Sequence, residues 1–344
     1  MNIVVLAGGL SPERNVSLSS GSLISAALKR RGHKVLMADV YEGVAIDKDN
    51  PYDMFTSEPC EAYTVSREVP DLDEIKRRNG NRRELIGSGV LELCKTADLV
   101  YVALHGDMGE NGQLQAVFDV FGIKYTGSGY IGSLLAMDKD IAKKILSEAG
   151  VRTPSWILCD SAFCDTQRIL SEIGLPCVVK PISSGSSVGI SIVNTENELM
   201  KAFELAKPYG ESLMVEKKIE GREFTCGILE GRVLPPVEII PKQGFYDYKN
   251  KYQAGATVEI CPAEIDEIQL ERISLATGKA FEALKLSGYA RFDYIMDSDG
   301  EFWCLEANTL PGMTPTSLFP QEAKAVGIDY DELCERIAMT ALKK

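Results

Sequence analysis

The stretch NIVVLAGGLSPERNVSLSSGSLISAALKRRGHKVLM, residues 2–37, decides the type of fold at the start of the chain. Its first six residues form an unbroken apolar run that ends at a Gly-Gly pair, a pattern typical of a buried parallel strand. Apolar residues then recur at helical spacing over 15–31, and the serines near the start of this segment are candidate N-caps. A second apolar strand at 33–37 completes a predicted βαβ unit.

A further apolar run, LVYVAL at residues 99–104, predicts another buried strand. The loop that follows it, His105–Gly112, is rich in glycine and acidic residues. In open α/β sheets, ligands collect at the carboxyl ends of the parallel strands. We therefore expect the loops after these two strands to line one crevice.

Composition limits the class of protein. With 344 residues, 45% of them hydrophobic and 25% charged, the chain is long enough for two or three globular domains. A net charge of −13 argues against a nucleic-acid partner, and the lack of an apolar run of about 18 residues argues against a membrane partner. Nine widely spaced cysteines without a C-x-x-C pair predict reduced thiols and a cytoplasmic location.

The segment GYARFDYIMDSDGEFWCLEANT, residues 288–309, predicts a β-hairpin around an Asp-Gly turn at 299–300. If those two residues form the loop, Asp293 lies opposite Glu306 and Arg291 lies opposite Asn308. The four side chains then share one face of the hairpin, because side chains alternate along a strand. The other face is predicted to carry Phe292, Tyr294, Trp303 and Leu305.

Two carboxylates at opposite positions need a compensating charge, since at about 5 Å and an effective dielectric constant of ~20 they repel by roughly 3 kcal/mol. One interpretation is a salt-bridged network built on Arg291, or a solvated face. The other is a divalent cation, because carboxylate and amide oxygens suit Mg²⁺, which also takes substrate phosphates as ligands. The spacing alone leaves both interpretations open.

A Ser/Gly-rich loop at residues 183–189 follows a predicted strand that ends in Lys180. Backbone N–H groups and hydroxyls in such a loop can cradle an anion, and the lysine adds positive charge. The loop lacks the G-x-x-x-x-G-K-[ST] pattern of a Walker loop, and a plain flexible turn is the alternative. Together with the hairpin face, it favours a nucleoside triphosphate site.

Several motifs in chain order carry a resemblance to a known family. They are LAGGLSPERNVSLSSG (6–21), LHGDMGENGQLQ (104–115), YTGSG (125–129), AMDK (136–139), VVKPISSGSSVGIS (179–191), VEKKIEGREFT (215–225), FYDYKNKY (245–252) and RFDYIMDSDGEFWCLEANTLPGMTPTSL (291–318). Together they resemble the ATP-grasp superfamily and, within it, the D-alanine–D-alanine ligase family. Residues 41–95 show little likeness beyond the topology.

The resemblance implies an α/β fold with a three-domain ATP-grasp architecture. The expected domains are an N-terminal Rossmann-like domain at 1–126, a central ATP-grasp subdomain with the serine loop at 127–216, and a C-terminal ATP-grasp subdomain with the metal-binding hairpin at 217–344. ATP is expected to lie between the sheets of the last two.

The same resemblance implies a two-step reaction for peptidoglycan precursor synthesis. ATP phosphorylates the carboxylate of one D-alanine, and the amine of a second D-alanine attacks the acyl phosphate. Two Mg²⁺ ions, for which Mn²⁺ can substitute, are expected as cofactors, and a homodimer is expected. The alternatives are a D-Ala–D-Ser or D-Ala–D-lactate ligase, another ATP-grasp carboxylate–amine ligase, or a non-catalytic nucleotide-binding regulator.

Positions that match the family's motifs imply roles for individual residues. The implied ATP-binding residues are Lys139, Lys180, Ser187, Glu216, Lys217, Ile219, Glu223 and Lys251. The implied metal ligands are Asp293, Glu306 and Asn308. The implied catalytic residues are Glu13, Ser186, Tyr252, Arg291 and Gly312. The implied D-alanine-binding residues are Glu13, His105, Tyr252, Arg291, Gly312, Ser317 and Leu318.

Two of these residues have simpler interpretations. Glu13 precedes a predicted helix, where the helix dipole favours a carboxylate, and His105 can be a buried histidine at the end of a strand. Two loops, 183–189 and 241–253, are expected to close over ATP and substrate. Tyr252, an uncharged phenol where related depsipeptide ligases use a histidine, is expected to favour D-alanine over D-lactate as the second substrate.

Overall fold

A computed structural model describes residues 1–47, 49–58, 63, 70–183, 189–242 and 257–343. The strands are β1 (Asn2–Ala7), β2 (Lys34–Asp39), β3 (Leu99–Val102), β4 (Trp156–Asp160), β5 (Cys177–Pro181), β6 (Ser191–Val193), β7 (Ser212–Lys217), β8 (Arg222–Leu229), β9 (Arg232–Val233), β10 (Val237–Pro241), β11 (Thr257–Ile260), β12 (Tyr289–Met296) and β13 (Phe302–Asn308). The helices are α1 (Arg14–Arg30), α2 (Leu72–Arg78), α3 (Val90–Thr96), α4 (Asp107–Glu110), α5 (Gln113–Phe121), α6 (Tyr130–Met137), α7 (Lys139–Glu148), α8 (Thr166–Glu172), α9 (Glu196–Ala206), α10 (Glu267–Ala283), α11 (Leu318–Ala325) and α12 (Tyr330–Thr340).

The first sheet is parallel, in the order β2-β1-β3, and it confirms the βαβ unit predicted at the start of the chain. The central strand β1 is fully buried from Ile3 to Ala7. Helix α1 packs closely on it, because a Cβ added to Gly21 would lie only 2.7 Å from the Cβ of Ala7. This close approach requires the absence of a side chain at that position.

The predicted serine N-cap of α1 is wrong. The helix begins at Arg14, with Glu13 in the N-cap position and no side-chain cap, so the serines lie inside it. Ser17 instead contacts two strand ends, because its hydroxyl accepts the N–H of Gly8 at 2.9 Å and donates to the carbonyl of Ala103 at 2.7 Å. The side chain therefore links two neighbouring strands at the point where the loops of the expected crevice begin.

The second sheet is antiparallel, in the order β4-β7-β5-β6. Before this sheet, the two helices α6 and α7 meet at Asp138. The Asp138 carboxylate accepts the N–H groups of Asp140 and Ile141, both at 3.0 Å, and so caps α7 while ending α6. Because of this break, α7 starts beside β5, where the N–H of Lys139 donates to the carbonyl of Ile182.

The third sheet is antiparallel, in the order β11-β10-β8-β12-β13, with β9 paired to β8. Helix α10 packs over its apolar face, around Phe224, Phe292 and Tyr294. The C-terminal helix α12 returns to the N-terminal sheet, since Ile337 shares a buried cluster with β1. An ion pair of 2.6 Å between Arg30 and Asp331 fastens α12 to α1.

Each of the three predicted domains thus contains one sheet, and the architecture is α/β as expected. The boundaries at 126/127 and 216/217 stay predictions. None of the described helices combines the length and the apolar character needed to cross a membrane. The eight described cysteines are all free thiols, in agreement with the expectation of reduced cysteines.

Candidate active site

A cavity of about 210 Å³ opens where β1 and β3 end, and it confirms that the two loops line one crevice. Its walls include residues 8–11 from the first loop and 104–109 from the second. The two loops are tied together, because the Ser11 hydroxyl donates to the carbonyl of His105 at 2.7 Å. The expected crevice is therefore present at the carboxyl ends of β1 and β3, and a hydrogen bond holds its two loops together.

Four titratable side chains gather at this crevice: Glu13, His105, Asp107 and Glu110. We call them the acidic crevice. Glu13 approaches the second loop closely, because a Cβ on Gly106 would lie 3.1 Å from its Oε2. The Gly106 N–H donates to Glu110 Oε2 at 2.6 Å. Burial, followed by the charge of Glu13, raises the pKa of Glu110 to about 7.

Burial also shifts the pKa values of the other two members of the acidic crevice. Burial and the charge of Glu13 raise the pKa of Asp107. Burial lowers the pKa of His105, against the opposing pull of Glu13, so the imidazole favours its neutral form. The crevice therefore holds more negative charge than it can neutralise, and it suits a cationic group such as an ammonium.

The hairpin pairs the four predicted residues as expected, although its turn and its register beyond the site differ from the prediction. Arg291 pairs with Asn308 and Asp293 pairs with Glu306, but Tyr294 pairs with Cys304, so the register shifts by one residue. The predicted two-residue turn is wrong, since the strands end at 296 and restart at 302. A β-bulge between the turn and the site compensates for the longer loop.

The bulge also changes which side chains face the core. Phe302 and Cys304, rather than the predicted Trp303 and Leu305, share the buried cluster of Phe292 and Tyr294. The physical reason is the extra residue in β13, which inverts the alternation of side chains beyond it. The site residues lie on the near side of the bulge, so their shared face is unaffected.

The face that carries Arg291 and Asp293 is a dense polar network. The Arg291 guanidinium donates Nε to Asp293 Oδ1 and Nη2 to Asp293 Oδ2, both at 3.0 Å. The same carboxylate accepts the Thr225 hydroxyl at 2.7 Å and the Asn308 amide at 3.0 Å. Lys139 Nζ lies 3.4 Å from Glu306 Oε2. The salt-bridged network considered for the sequence is therefore present.

A second group of buried charges lies on the central sheet, and we call it the lysine cluster: Lys143, Lys180 and Glu216. Lys180 Nζ donates to Glu216 Oε1 at 2.6 Å, and Lys143 donates to the other oxygen, Oε2. All three residues are less than 5% exposed. Sequence reasoning missed Lys143, because its place on helix α7 carries no motif.

Burial and the neighbouring charges together shift the pKa values of the lysine cluster. Burial lowers the pKa of Lys143 to about 8, although Glu216 opposes the shift. Burial acts to raise the pKa of Glu216, but the two lysine charges outweigh it and hold that pKa below its usual value. Two lysines share one carboxylate, so the cluster suits a further anion such as a phosphate.

The acidic crevice and the hairpin face meet around the segment between β13 and α11, and the lysine cluster lies beside the hairpin, since the charges of Lys143 and Asp293 both act on Cys304 of β13. The Leu310 backbone lies against both His105 and Glu110, and the charge of Arg291 acts on His105. The charge of Glu306 acts on Glu110 as well. The acidic crevice and the hairpin face therefore border one space, although Glu13 and Glu306 are far apart in the sequence.

Two sequence profiles cover most of the chain. The profile described as D-ala D-ala ligase N-terminus matches residues 2–128, and the one described as D-ala D-ala ligase C-terminus matches residues 145–339. The chain belongs to the D-alanine–D-alanine ligase family. The D-alanine–D-alanine ligase of Pediococcus pentosaceus is 40% identical, over 98% of this chain and 97% of that one. The ligase of Halalkalibacterium halodurans is 37% identical over the full length of both.

Solved structures from the same family are similar over nearly the whole chain. The D-alanine–D-alanine ligase of Bacillus anthracis has a TM-score of 0.77 at 34% identity, covering 100% of this chain and 98% of that one. The same enzyme complexed with ATP gives a TM-score of 0.77 at 31% identity, with the same coverage. The VanG D-Ala:D-Ser ligase of Enterococcus faecalis has a TM-score of 0.75 at 28% identity, covering 99% of both chains.

The remaining residues implied by the ligase family lie around this space in different ways. Gly312 and Ser317 are adjacent, since a Cβ on Gly312 would lie 3.1 Å from the Ser317 hydroxyl. Ser317 is the N-cap residue of α11 and Leu318 its first residue. Lys217 is the last residue of β7, Ile219 follows it, and Glu223 lies at the start of β8 in the third sheet. Ser186, Ser187, Lys251 and Tyr252, like most of the two expected closing loops, lie outside the described residues.

The residues of the hairpin face fit the Mg²⁺ that the ligase family implies. Two carboxylates, Asp293 and Glu306, and the amide of Asn308 present hard oxygen ligands on one face, as Mg²⁺ prefers. Within the described ranges, no group of three or more His, Cys, Asp or Glu side chains could hold a metal ion. An Asp/Glu/Asn set contains only two such residues, so substrate phosphates have to complete the coordination.

Proposed function

We propose that this chain joins two D-alanines to D-alanyl-D-alanine with hydrolysis of ATP to ADP and phosphate. The observation that carries the proposal is that the hairpin face lies beside two groups of opposite charge imbalance: Glu306 acts on Glu110 of the acidic crevice, and Cys304 of the hairpin lies within reach of the charge of Lys143. The acidic crevice suits an ammonium, the lysine cluster suits phosphates, and the Arg291/Asp293 network adds the guanidinium. An amino acid phosphorylated on its carboxylate needs this combination of binding groups.

In the first step, a carboxylate oxygen of the first D-alanine attacks the γ-phosphorus of ATP. The bond to the β-γ bridging oxygen breaks, ADP leaves, and D-alanyl phosphate forms. Glu13 holds the ammonium of this D-alanine, with Glu110 adding negative charge at the crevice. Lys180 and Lys139 bind phosphate oxygens. Lys251 and Ser187, which lie outside the described residues, are assigned to the same phosphates. Glu216, Lys217, Ile219 and Glu223 hold the adenosine portion.

In the second step, the neutral amine of the second D-alanine attacks the acyl carbon and forms a tetrahedral intermediate. The attacking nitrogen loses one proton to the departing phosphate, the bond between the acyl carbon and the phosphate oxygen breaks, and the new amide bond remains. The Arg291 guanidinium and the Gly312 N–H donate to the developing oxyanion, a type of interaction worth about 3–4 kcal/mol per donor. Ser317 and the N–H of Leu318 hold the carboxylate of the second D-alanine, and Ser186, Tyr252 and His105 orient the reacting groups.

Asp293, Glu306 and Asn308 would hold two Mg²⁺ ions, or Mn²⁺ in their place, and these ions would neutralise charge on the transferring phosphoryl group. Lys139, within 3.4 Å of Glu306, adds a fixed positive charge on the same side. The protein's own contribution is therefore to keep the carboxylates and the guanidinium on one face of the hairpin, with the lysine of α7 beside it.

The product fits a role in peptidoglycan precursor synthesis, which would place the enzyme in the cytoplasm. The free thiols are in keeping with a reducing compartment. A homodimer without nucleic-acid or membrane partners remains our expectation, which gel filtration with light scattering would test.

A second candidate function is ligation of D-alanine to another second substrate, because a structural relative is named as a D-Ala:D-Ser ligase. We expect D-alanine to be preferred, since Tyr252 stays uncharged at neutral pH and does not repel an incoming ammonium. A histidinium at that position would instead attract the anionic D-lactate.

The test is phosphate release from ATP with D-alanine, D-serine and D-lactate, alone and in pairs, at pH 6 and pH 8. We expect release to depend on D-alanine, and mass spectrometry to find D-alanyl-D-alanine as the main product at both pH values. Release without D-alanine would overturn the proposal. A depsipeptide or D-alanyl-D-serine as the main product would overturn only the choice of second substrate.

A further inference from the structure

Helix α11 carries a buried carboxyl group that the reaction scheme does not use. Glu322 is 0% exposed, and across the described residues neither of its carboxyl oxygens has a well-formed hydrogen bond. An unpaired buried carboxyl is costly to retain, because burial without a hydrogen bond is unfavourable. Burial raises the pKa of Glu322 well above its usual value, and the positive charge of Arg291 and the nearby Gly227 N–H oppose the shift.

The register of the third sheet shows where this carboxyl group lies. Gly227 on β8 is directly opposite Arg291 on β12, and Thr225 is opposite Asp293. Side chains at opposite positions of antiparallel strands point to the same face. A Cβ on Gly227 would lie 2.1 Å from Glu322 Oε2, so the carboxyl group fills the space where a side chain of Gly227 would be. It therefore sits beside Arg291, on the face that carries the proposed metal ligands.

A divalent cation and the Arg291 guanidinium would compete for Asp293, and Glu322 offers the guanidinium a second carboxyl group. Both arms of its guanidinium fork are bound to Asp293, which also accepts from Thr225 and Asn308. A carboxylate has about four acceptor positions, and these four hydrogen bonds fill them. A divalent cation on Asp293 would take some of those positions and would repel the guanidinium. Glu322 is a carboxyl group close enough to Arg291 for the two side chains to interact electrostatically, and it can accept from the displaced guanidinium.

We propose that Glu322 is a positioning residue for Arg291, the second carboxyl group to which the guanidinium turns when a divalent cation binds Asp293. The missing side chain at Gly227 leaves the space that the Glu322 carboxyl group occupies beside Arg291. The inference rests on the proposed function for the metal-binding role of Asp293. It goes beyond that function in assigning a partner exchange to a residue that contacts neither substrate nor metal.

The test measures Mn²⁺ affinity in the presence of ADP, from the EPR signal of free Mn²⁺, for the parent, Glu322→Gln, Arg291→Met and the double variant. Glu322→Gln is expected to weaken Mn²⁺ binding about tenfold, a coupling of ordinary size between two sites, because Arg291 stays on Asp293. In the Arg291→Met background the same substitution is expected to have no effect. Such non-additivity identifies an action through Arg291.

Turnover gives a second measure, because a residue that positions Arg291 should affect kcat more than the KM for ATP. Glu322→Leu covers the case in which the glutamine variant folds poorly, since an apolar side chain of similar size removes the unpaired polar group. The matched control is Glu332→Gln on α12, where the side chain is 40% exposed. We expect this control to leave Mn²⁺ binding and turnover unchanged.

Unchanged Mn²⁺ affinity in both Glu322 variants would overturn the inference, and so would an equal loss with and without Arg291. Asp293→Asn separates this failure from that of the proposed function. If Asp293→Asn binds Mn²⁺ like the parent, the metal assignment is wrong and the inference falls with it. If it loses Mn²⁺ while the Glu322 variants do not, only the inference is wrong.

Discussion

The lysine cluster and the acidic crevice are both buried groups of charges, but their imbalances have opposite signs. In the lysine cluster two lysines share Glu216, and the pKa of Lys143 is lowered to about 8. In the acidic crevice three carboxyl groups surround a histidine, and the pKa of Glu110 is raised to about 7. Each imbalance costs stability in the free protein and is relieved by a ligand of opposite charge. The sign of the uncompensated charge therefore indicates which part of the substrates each region binds, phosphate in the lysine cluster and the ammonium in the acidic crevice.

The largest effect is expected from Glu216→Gln, which removes the only carboxylate of the lysine cluster. Two buried lysines would then lie together without a counter-charge. Breaking a buried ion pair by removing one partner typically costs about 3–5 kcal/mol. We expect a loss of that size in the free energy of unfolding, measured by urea denaturation without nucleotide.

The same variant should recover part of that stability when ATP is present, since phosphate supplies the missing negative charge. The parallel variant Lys143→Met leaves Glu216 paired with Lys180 and should destabilise less. If Glu216→Gln were as stable as the parent, the two lysines would not be held by their carboxylate and the comparison would fail.

The next largest effect is expected from Glu306→Gln, which removes a carboxylate that we assign to function rather than to stability. Loss of one ligand charge should reduce metal-dependent turnover by about 10²–10³-fold, in the range found when one preorganised electrostatic contact is removed. The melting temperature should stay the same or rise, because the Asp293–Glu306 repulsion is relieved.

Measuring both properties on Glu306→Gln and Glu216→Gln gives a crossed control. The first should lose turnover and keep stability, and the second should lose stability first. A Glu306→Gln enzyme that turns over like the parent would contradict the metal assignment.

Why the sequence predicts some of these residues and not others follows from local geometry. The hairpin partners of Arg291 and Asp293 are encoded by period-2 alternation over a short range, so they could be placed within a few residues of the turn. The bulge and the longer turn were invisible, because both depend on packing of Phe302 and Cys304 against the core. The extra residue in the turn and the extra residue in β13 offset each other, so the predicted pairing at Arg291 and Asp293 is correct.

Lys143, Glu110 and Glu322 could not be placed from the sequence for a different reason. Each lies on or at the end of a helix and meets its partners only through tertiary contacts, such as Lys143 with Glu216 and Glu322 with Gly227. A lysine or glutamate on a helix usually predicts a solvated face. For Glu110, the only available signal was the acidic loop after β3.

A moderate effect is expected from Glu110→Gln, which tests the acidic crevice through pH. The pKa of Glu110 is raised to about 7 in the folded protein, against about 4.3 when unfolded. The native state therefore binds more protons between these values, and stability falls as pH rises through that window. This pH-dependent loss of stability, up to about 4 kcal/mol, should disappear in Glu110→Gln.

The measurement is urea denaturation at pH 5 and pH 8 for the parent and Glu110→Gln, with the exposed Glu92→Gln as control. The variant should be more stable than the parent at pH 8. D-alanine should also lose affinity in the variant at pH 8, since the ionised Glu110 attracts its ammonium. A pH profile identical to that of the parent would show that Glu110 is not the strained group.

The smallest effect is expected from Glu220→Gln, which breaks the ion pair with Lys218 just beyond β7. The pair spans 2.6 Å, but the Glu220 side chain is 75% exposed. Exposed pairs contribute about 0–1 kcal/mol and are screened by salt. The variant should unfold within about 0.5 kcal/mol of the parent at 0.15 M salt. Glu216 and Glu220 are four residues apart, but Glu216 is buried and pairs with two lysines, whereas Glu220 is exposed and pairs with one. Equal losses from the two substitutions would show that burial does not set the strength of these pairs, and the contrast between the two charged regions would then need another cause.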